Sequence, residues 1–391
     1  MLNQLHLDRW ADVLVRHATK IKSGNVVRIT TQPAAEPLLA AVYRKVLEAG
    51  GHPIVNCRPE ILGEIFYETA NGEQLDWENP FAMKEAELID ASINISAITN
   101  LRSLDKFDTK TTQRAAKSNR EFRELFFQRA AVADDPGIDA NLAPLLWSTT
   151  LYPTNAYAQD AGMSLKDYSE FVIRACQLNQ EDPVAFWEEL DRWQCELAAQ
   201  LNAGSELHFQ TPAGTDLKVN IGGMRWFSSP GRKNFPDGEV YSGPNLAAEN
   251  GGAQGVVVFD KRCVYQGHAV RNARIVMENG RATDVSAEEG EDFLIAMLDQ
   301  DEGARLIGEV AFGANRAISK PTGQILYDEK MGGSFHLAFG AGYPETGNVN
   351  KSALHWDLIA GLTKGSQVTL DGKPFCIDGE FVTMPPEVKW L

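Results

Sequence analysis

No two cysteines of this chain stand at the spacing of a metal-binding motif. The five present, Cys57, Cys176, Cys195, Cys263 and Cys376, are scattered and odd in number. That pattern predicts free thiols in a reducing compartment. No apolar run approaches the roughly 20 residues a bilayer span requires, so no membrane partner is expected. The first residues, Met1-Leu2-Asn3-Gln4-Leu5-His6, have neither a basic stretch nor an apolar core, so no secretory signal is read there. A cytoplasmic protein is the expectation. Positive charge is in deficit: 37 Lys and Arg against 53 Asp and Glu give a formal net charge of −16. An acidic surface repels phosphate backbones, which argues against nucleic acid as a partner. Lys110, Arg114, Lys117, Arg120, Arg123 and Arg129 form one basic cluster, read as a solvated helix face. Internal repeats and low-complexity tracts are absent. So is the GxGxxG fingerprint after the first strand, which removes the simplest dinucleotide site.

What is present fits a soluble chain of 391 residues, long enough for two domains with cores of their own. Leu5 to Lys20 has helical apolar spacing. Val26 to Thr30 reads as a short strand, Pro37 to Ala49 as a helix closed by Gly50-Gly51, and His52 to Asn56 as the next strand. Ala91 to Ser96 reads as another. Strand, helix, strand predicts a parallel sheet. From Lys110 to about Asn202 the chain reads as mostly helical. Its clearest segment starts at Asp182-Pro183 and carries Phe186, Trp187, Leu190, Trp193, Leu197 and Leu201 on one face. After Gly204 the texture changes to short strands with turn dipeptides: Asn279-Gly280, Asp371-Gly372 and Asp378-Gly379. One helix interrupts, with Ser286 and Glu289 in a capping-box pattern. The expected fold class is α/β: an N-terminal parallel-sheet α/β and helical domain, residues 1–204, then a β-rich α+β C-terminal domain, residues 205–391.

The second domain holds the chemistry. Glu239 follows a Pro236-Asp237-Gly238 turn. Glu309 lies in the apolar run 308–313, and His336 in the apolar run 335–340. Tyr327-Asp328-Glu329-Lys330 precedes a glycine pair. His355 and Asp357 sit two apart in the run 354–359. An ionised carboxylate in an apolar run is costly unless it is paired or binds a metal. If 354–359 is extended, His355 and Asp357 share a face, because the strand period is two. Mixed nitrogen and oxygen ligands suit zinc, cobalt or manganese better than calcium. With the glutamates, the set is large enough for two ions about 3.5–4 Å apart. The bland readings are a surface glutamate, a hydrogen-bonded core histidine, and a structural His–Asp pair.

At these residues the chain resembles the aminopeptidase T / aminopeptidase S family, the M29 metallopeptidases. The motifs are 236–241, 308–311, 328–329, His336-Leu337-Ala338-Phe339-Gly340 and His355-Trp356-Asp357, with Tyr152-Pro153-Thr154 and Ala161-Gly162-Met163-Ser164 in the N-terminal half. The resemblance implies a metalloaminopeptidase acting on peptides with a free N-terminus. It implies two divalent metal ions per subunit, held by Glu239, Glu309, Glu329, His336, His355 and Asp357. Glu329 lies seven residues before His336, a longer spacing than the family's, with Gly332-Gly333 as the insertion. It also implies Tyr343 as an active-site tyrosine and a homodimer as the assembly; in the mechanism expected of such a site, Glu309 either bridges the ions or takes the proton from the water. The rival readings are a metal hydrolase of small non-peptide amides and a non-catalytic scaffold on the same fold.

Overall fold

A computed structural model of the chain describes residues 2–134, 139, 141–382 and 389–391. The chain forms two compact units: Met1–Val184 with Gly231–Phe235, and Ala185–Pro230 with Pro236–Leu391.

The first unit is built on a parallel sheet. Its strand order is His52–Cys57, Val26–Thr31, Ala91–Ser96, Leu146–Leu151, Asn234–Phe235. Helices fill the connections, including Glu36–Glu48 between the first two strands in the chain. The strand–helix–strand rhythm thus yields the parallel sheet it predicts. Helices make up most of 110–202, as read, and the strand Leu146–Leu151 interrupts them. Its residues, Leu-Trp-Ser-Thr-Thr-Leu, are aromatic and β-branched enough for a sheet. Trp10 Nε1 fixes it by donating to Thr150 Oγ1 at 3.2 Å. The basic cluster breaks into local pairings. Arg114 binds Asp76, Arg120 binds Glu124, and Arg129 is buried and donates to the carbonyls of Ala86, Ala143 and Pro144. Some apolar side chains of the unit are open to solvent. In the helix Ile61–Thr69 no residue is buried, and Ile61, Leu62, Ile65 and Phe66 are exposed, as are Ile54 and Val55 of the edge strand.

The second unit holds nearly all of the helix Pro183–Asn202, which buries Phe186, Trp187, Leu190, Trp193, Leu197 and Leu201 as helical spacing requires. The rest is β-rich. The dipeptides Asn279-Gly280, Asp371-Gly372 and Asp378-Gly379 all have positive φ at both residues and join adjacent antiparallel strands. That is the tight turn whose twist matches a hairpin. The capping box expected at Ser286 is absent. Ser286 ends a strand, and the helix Glu291–Leu298 starts from Gly290 at φ +78° with no side-chain cap.

Two sheets pack together here. An eight-stranded sheet contributes Phe209, Phe375 and Phe381. A five-stranded antiparallel sheet contributes Phe312 and Phe335. Phe209 meets Phe312 at 5.6 Å and Phe335 at 4.5 Å between ring centroids. Phe375 and Phe381 also meet Phe312, at 5.4 and 5.8 Å. Each fully buried phenylalanine contributes about 1.5–3 kcal/mol. The order of the five-stranded sheet is His355–Gly361, Ser334–Gly340, Ile307–Gly313, Glu239–Ser242, Phe227–Ser229. It carries the site.

Candidate metal centre

In the five-stranded sheet, Glu309 stands opposite Ala338, and Ala338 opposite Asp357. Ala311 stands opposite His336, Gly313 opposite Glu239, and Gly340 opposite His355. Residues directly opposite, and residues two apart along a strand, share a face. Glu239, Glu309, His336, His355 and Asp357 therefore project from one face, the one turned away from Phe312 and Phe335. Between them lie Ala311, Gly313 and Ala338, too short to fill the space above the sheet. Two glycines shape the backbone. Gly238 has φ +118°, and a Cβ there would touch Asn315 at 3.0 Å. A Cβ on Gly308 would lie 2.1 Å from the Ala341 carbonyl. Both precede a glutamate of the site.

The five side chains fall into two groups that share Glu309. Donor atoms of Glu239, Glu309 and His336 lie within 4.8 Å of one another, as do those of Glu309, His355 and Asp357. His336 Nε2 is 3.5 Å from Glu239 Oε2 and 3.6 Å from Glu309 Oε1. His355 Nε2 is 3.4 Å from Glu309 Oε2 and 3.8 Å from Asp357 Oδ1. These separations are long for hydrogen bonds. They suit ligands of a common ion, which at about 2.1 Å from a tetrahedral metal stand about 3.4 Å apart. Glu239 Oε2 and Asp357 Oδ1 are buried with no hydrogen-bond partner, a costly state that a cation would relieve. His355 Nδ1 lies 2.9 Å from the Ala341 carbonyl. An N–H there donates to that oxygen and leaves Nε2 free to bind, the usual support of a ligating histidine. The residues present fit a divalent metal.

The electrostatics agree. Burial pushes the Glu309 carboxyl up, but His336 and His355 outweigh it and hold it at about 2. Burial lowers both imidazoles, yet the carboxylates around them raise His336 to about 9 and His355 to about 10. Burial raises Asp357 to about 6. Protons on the imidazoles thus stand where a divalent cation would displace them, because ligation needs the neutral ring.

Beside the first group lies Lys330, 1% exposed. Its Nζ is 2.6 Å from Glu239 Oε1, 2.6 Å from Glu329 Oε1 and 3.5 Å from Asp237 Oδ1. Burial works against its charge, but Glu239, Glu329 and Asp237 hold the ammonium well above its ordinary range. Glu329 belongs to neither donor group, and its carboxylate binds Lys330 instead. Asp328 turns away to clamp a loop, accepting from Thr322 N and Oγ1 and from Gly323 N. Tyr343 begins the short helical turn Pro344–Thr346, 37% exposed, with its hydroxyl 3.3 Å from His355 Nε2. Its ring meets those of Tyr241 and His355 at 5.7 and 5.0 Å. Sequence reasoning gave Lys330 and Asp237 no role. The available signal was a lysine directly after two acids and before two glycines, a poor position for a merely solvated charge.

The profile of the thermophilic metalloprotease (M29) family matches residues 3–381. Aminopeptidase 2 of Geobacillus stearothermophilus is 27% identical over 94% of this chain and 95% of its own length. Aminopeptidase T of Thermus aquaticus is 33% identical over 56% of this chain and 58% of its own. Among solved structures, wild-type AmpT from Thermus thermophilus superposes with a TM-score of 0.81 at 24% identity, covering 97% of this chain and 99% of that one. A 2,5-dihydroxypyridine dioxygenase from Pseudomonas putida reaches a TM-score of 0.59 at 14% identity over the full length of both. These two structures share the fold, and the second shows that the fold alone does not fix a reaction. The chain belongs to the M29 metalloprotease family.

Proposed function

We propose that this M29 metalloprotease is an aminopeptidase that releases N-terminal amino acids from peptides, using two divalent metal ions held on one face of its five-stranded sheet. The observation that carries the reading is the pair of donor groups sharing Glu309: Glu239, Glu309 and His336 for one ion, Glu309, His355 and Asp357 for the other. Charge supports the reading. Asp237, Glu239 and Glu329 surround the ammonium of Lys330, and Glu309 and Asp357 face the imidazoles, so carboxylates outnumber the site's one fixed cation and divalent ions would offset the excess. The donor set suits zinc, cobalt or manganese. Bound there, such ions supply Lewis acidity, bringing a water's pKa toward neutrality and polarising a carbonyl.

The chain's own groups do the rest. Both oxygens of Glu309 face ligand imidazoles, which favours the shared ligand over the free base as its role. The Tyr343 hydroxyl keeps its proton: the residue as a whole is partly exposed, but desolvation around the hydroxyl and then the carboxylates nearby raise its pKa well above the ordinary value. It can donate to the oxyanion that develops on the attacked carbonyl. A free α-amine needs a negative partner, which a carboxylate of this acidic pocket can offer, and that requirement selects the amino end of a peptide.

The same reading includes a homodimer and a cytoplasmic location. The exposed apolar side chains of Ile54, Val55 and the helix Ile61–Thr69 support the first. Five free cysteines, Cys57 and Cys195 among them exposed, support the second. Among the described residues no helix is long and apolar enough to cross a membrane.

The test is hydrolysis of aminoacyl-amides before chelation, after it, and after metal is restored, with N-acetylated amides in parallel. Metal-dependent cleavage of free-amine substrates alone is the expected result. Equal cleavage of acetylated amides would favour a small-amide hydrolase, and turnover untouched by chelation would remove the metal from the reaction.

A further inference from the structure

A buried lysine at the edge of a metal centre calls for an account, because an ammonium repels the cations the centre is built to hold. Lys330 is as buried as any charged group in the described residues, and its Nζ is shared at equal distance between Glu239 Oε1 and Glu329 Oε1. Its backbone is fixed. Asn315 N donates to the Lys330 carbonyl at 2.9 Å, and Gly332 N donates to the Asn315 carbonyl at 2.9 Å. Asn315 Nδ2 in turn donates to the Asp237 carbonyl at 2.9 Å. Asn315 thus ties the lysine segment to the turn that carries Glu239. A lysine delivered so rigidly to two glutamates is not there by default, since burying it unpaired would be prohibitive.

The consequence differs for the two glutamates. Glu239 gives one oxygen to the ammonium and leaves the other, Oε2, with no hydrogen-bond partner and 3.5 Å from His336 Nε2. The lysine therefore sets which oxygen faces the centre. Glu329 gives its oxygen to the same ammonium and contributes no atom to either donor group. We propose that Lys330 is a positioning residue of the metal centre: it aims Glu239 at the metal and takes Glu329 out of the ligand shell, so that five side chains rather than six hold the ions. The ammonium stands as a fixed cation beside the exchangeable ones. This rests on the metal-centre reading above.

The test uses the full chain, stripped of metal and titrated with Co(II), reading bound equivalents and visible absorption bands. The wild type is expected to bind two equivalents. Glu329→Gln is expected to keep both equivalents and the wild-type bands, whereas Glu239→Gln loses one equivalent. Lys330→Met frees Glu329 to approach the ions and loosens Glu239, so its bands shift, and the double variant Lys330→Met/Glu329→Gln moves them back toward the wild-type position, leaving only the part of the shift due to Glu239. A lysine with only a structural role would not show that return. Loss of an equivalent in Glu329→Gln overturns the proposal, as does a folded Lys330→Met with unshifted bands. If Lys330→Met does not fold, the Glu329→Gln count decides alone. A wild type that binds no Co(II) at all would sink the metal-centre reading itself, a distinct failure.

Discussion

The two faces of the five-stranded sheet share one backbone and have opposite contents. One face presents Phe312, Phe335 and Phe339 to the aromatic rings of the neighbouring sheet. The other presents Glu239, Glu309, His336, His355 and Asp357 to each other. The strand period of two makes this possible, because it lets alternate residues serve unrelated purposes. Burial has two meanings here. On the aromatic face it supplies stability. On the other face it costs stability, and the cost is offset only when the charges find a cation. Substitutions on the two faces should therefore separate cleanly into losses of chemistry and losses of folding.

The largest effect expected is on chemistry. Glu309→Gln alters the carboxylate common to both donor groups and should lower kcat/KM by roughly 10³-fold or more, several kcal/mol of transition-state stabilisation. Steady-state assay with metal in excess measures it, and thermal unfolding should move less than for the next variant. Phe335→Ala, on the aromatic face, should cost about 3–5 kcal/mol of stability in denaturant titration. Its folded fraction should keep its metal content. Tyr343→Phe deletes one hydroxyl and should lower kcat by about 10²-fold with KM little changed. A change confined to KM would make the tyrosine a binding group only. The smallest effect is one of reactivity. Burial raises Cys176 and pushes Cys263 and Cys376 up to about 12, so these thiols should resist alkylation at neutral pH until the chain unfolds. The exposed Cys57 and Cys195 should react at once, and mass spectrometry of the labelled protein distinguishes the sets.

Much of the candidate site is legible in the sequence because it lies on strands. The separation of His355 from Asp357 has one meaning on a strand, and Glu309 and His336 stood out as charges in apolar runs. The sheet confirms those runs as the strands Ile307–Gly313, Ser334–Gly340 and His355–Gly361. What the sequence hid depends on long-range placement. Nothing local says that Lys330 meets Glu239, since that contact follows from how Asn315 joins two distant turns. The strand Leu146–Leu151 was hidden for a related reason. It is short, follows two helices, and owes its state to pairing with Ala91–Ser96, where tertiary pairing outweighs the surrounding helical texture. The capping pattern at Ser286 failed because a positive-φ glycine, Gly290, begins the helix instead.

The account stands on two ions sharing Glu309, and counting metal tests it most directly. Purified chain reconstituted with Co(II) and dialysed should retain two equivalents, and Asp357→Asn and Glu239→Gln should each retain one. A wild type that retains none, or variants that both retain two, would contradict it.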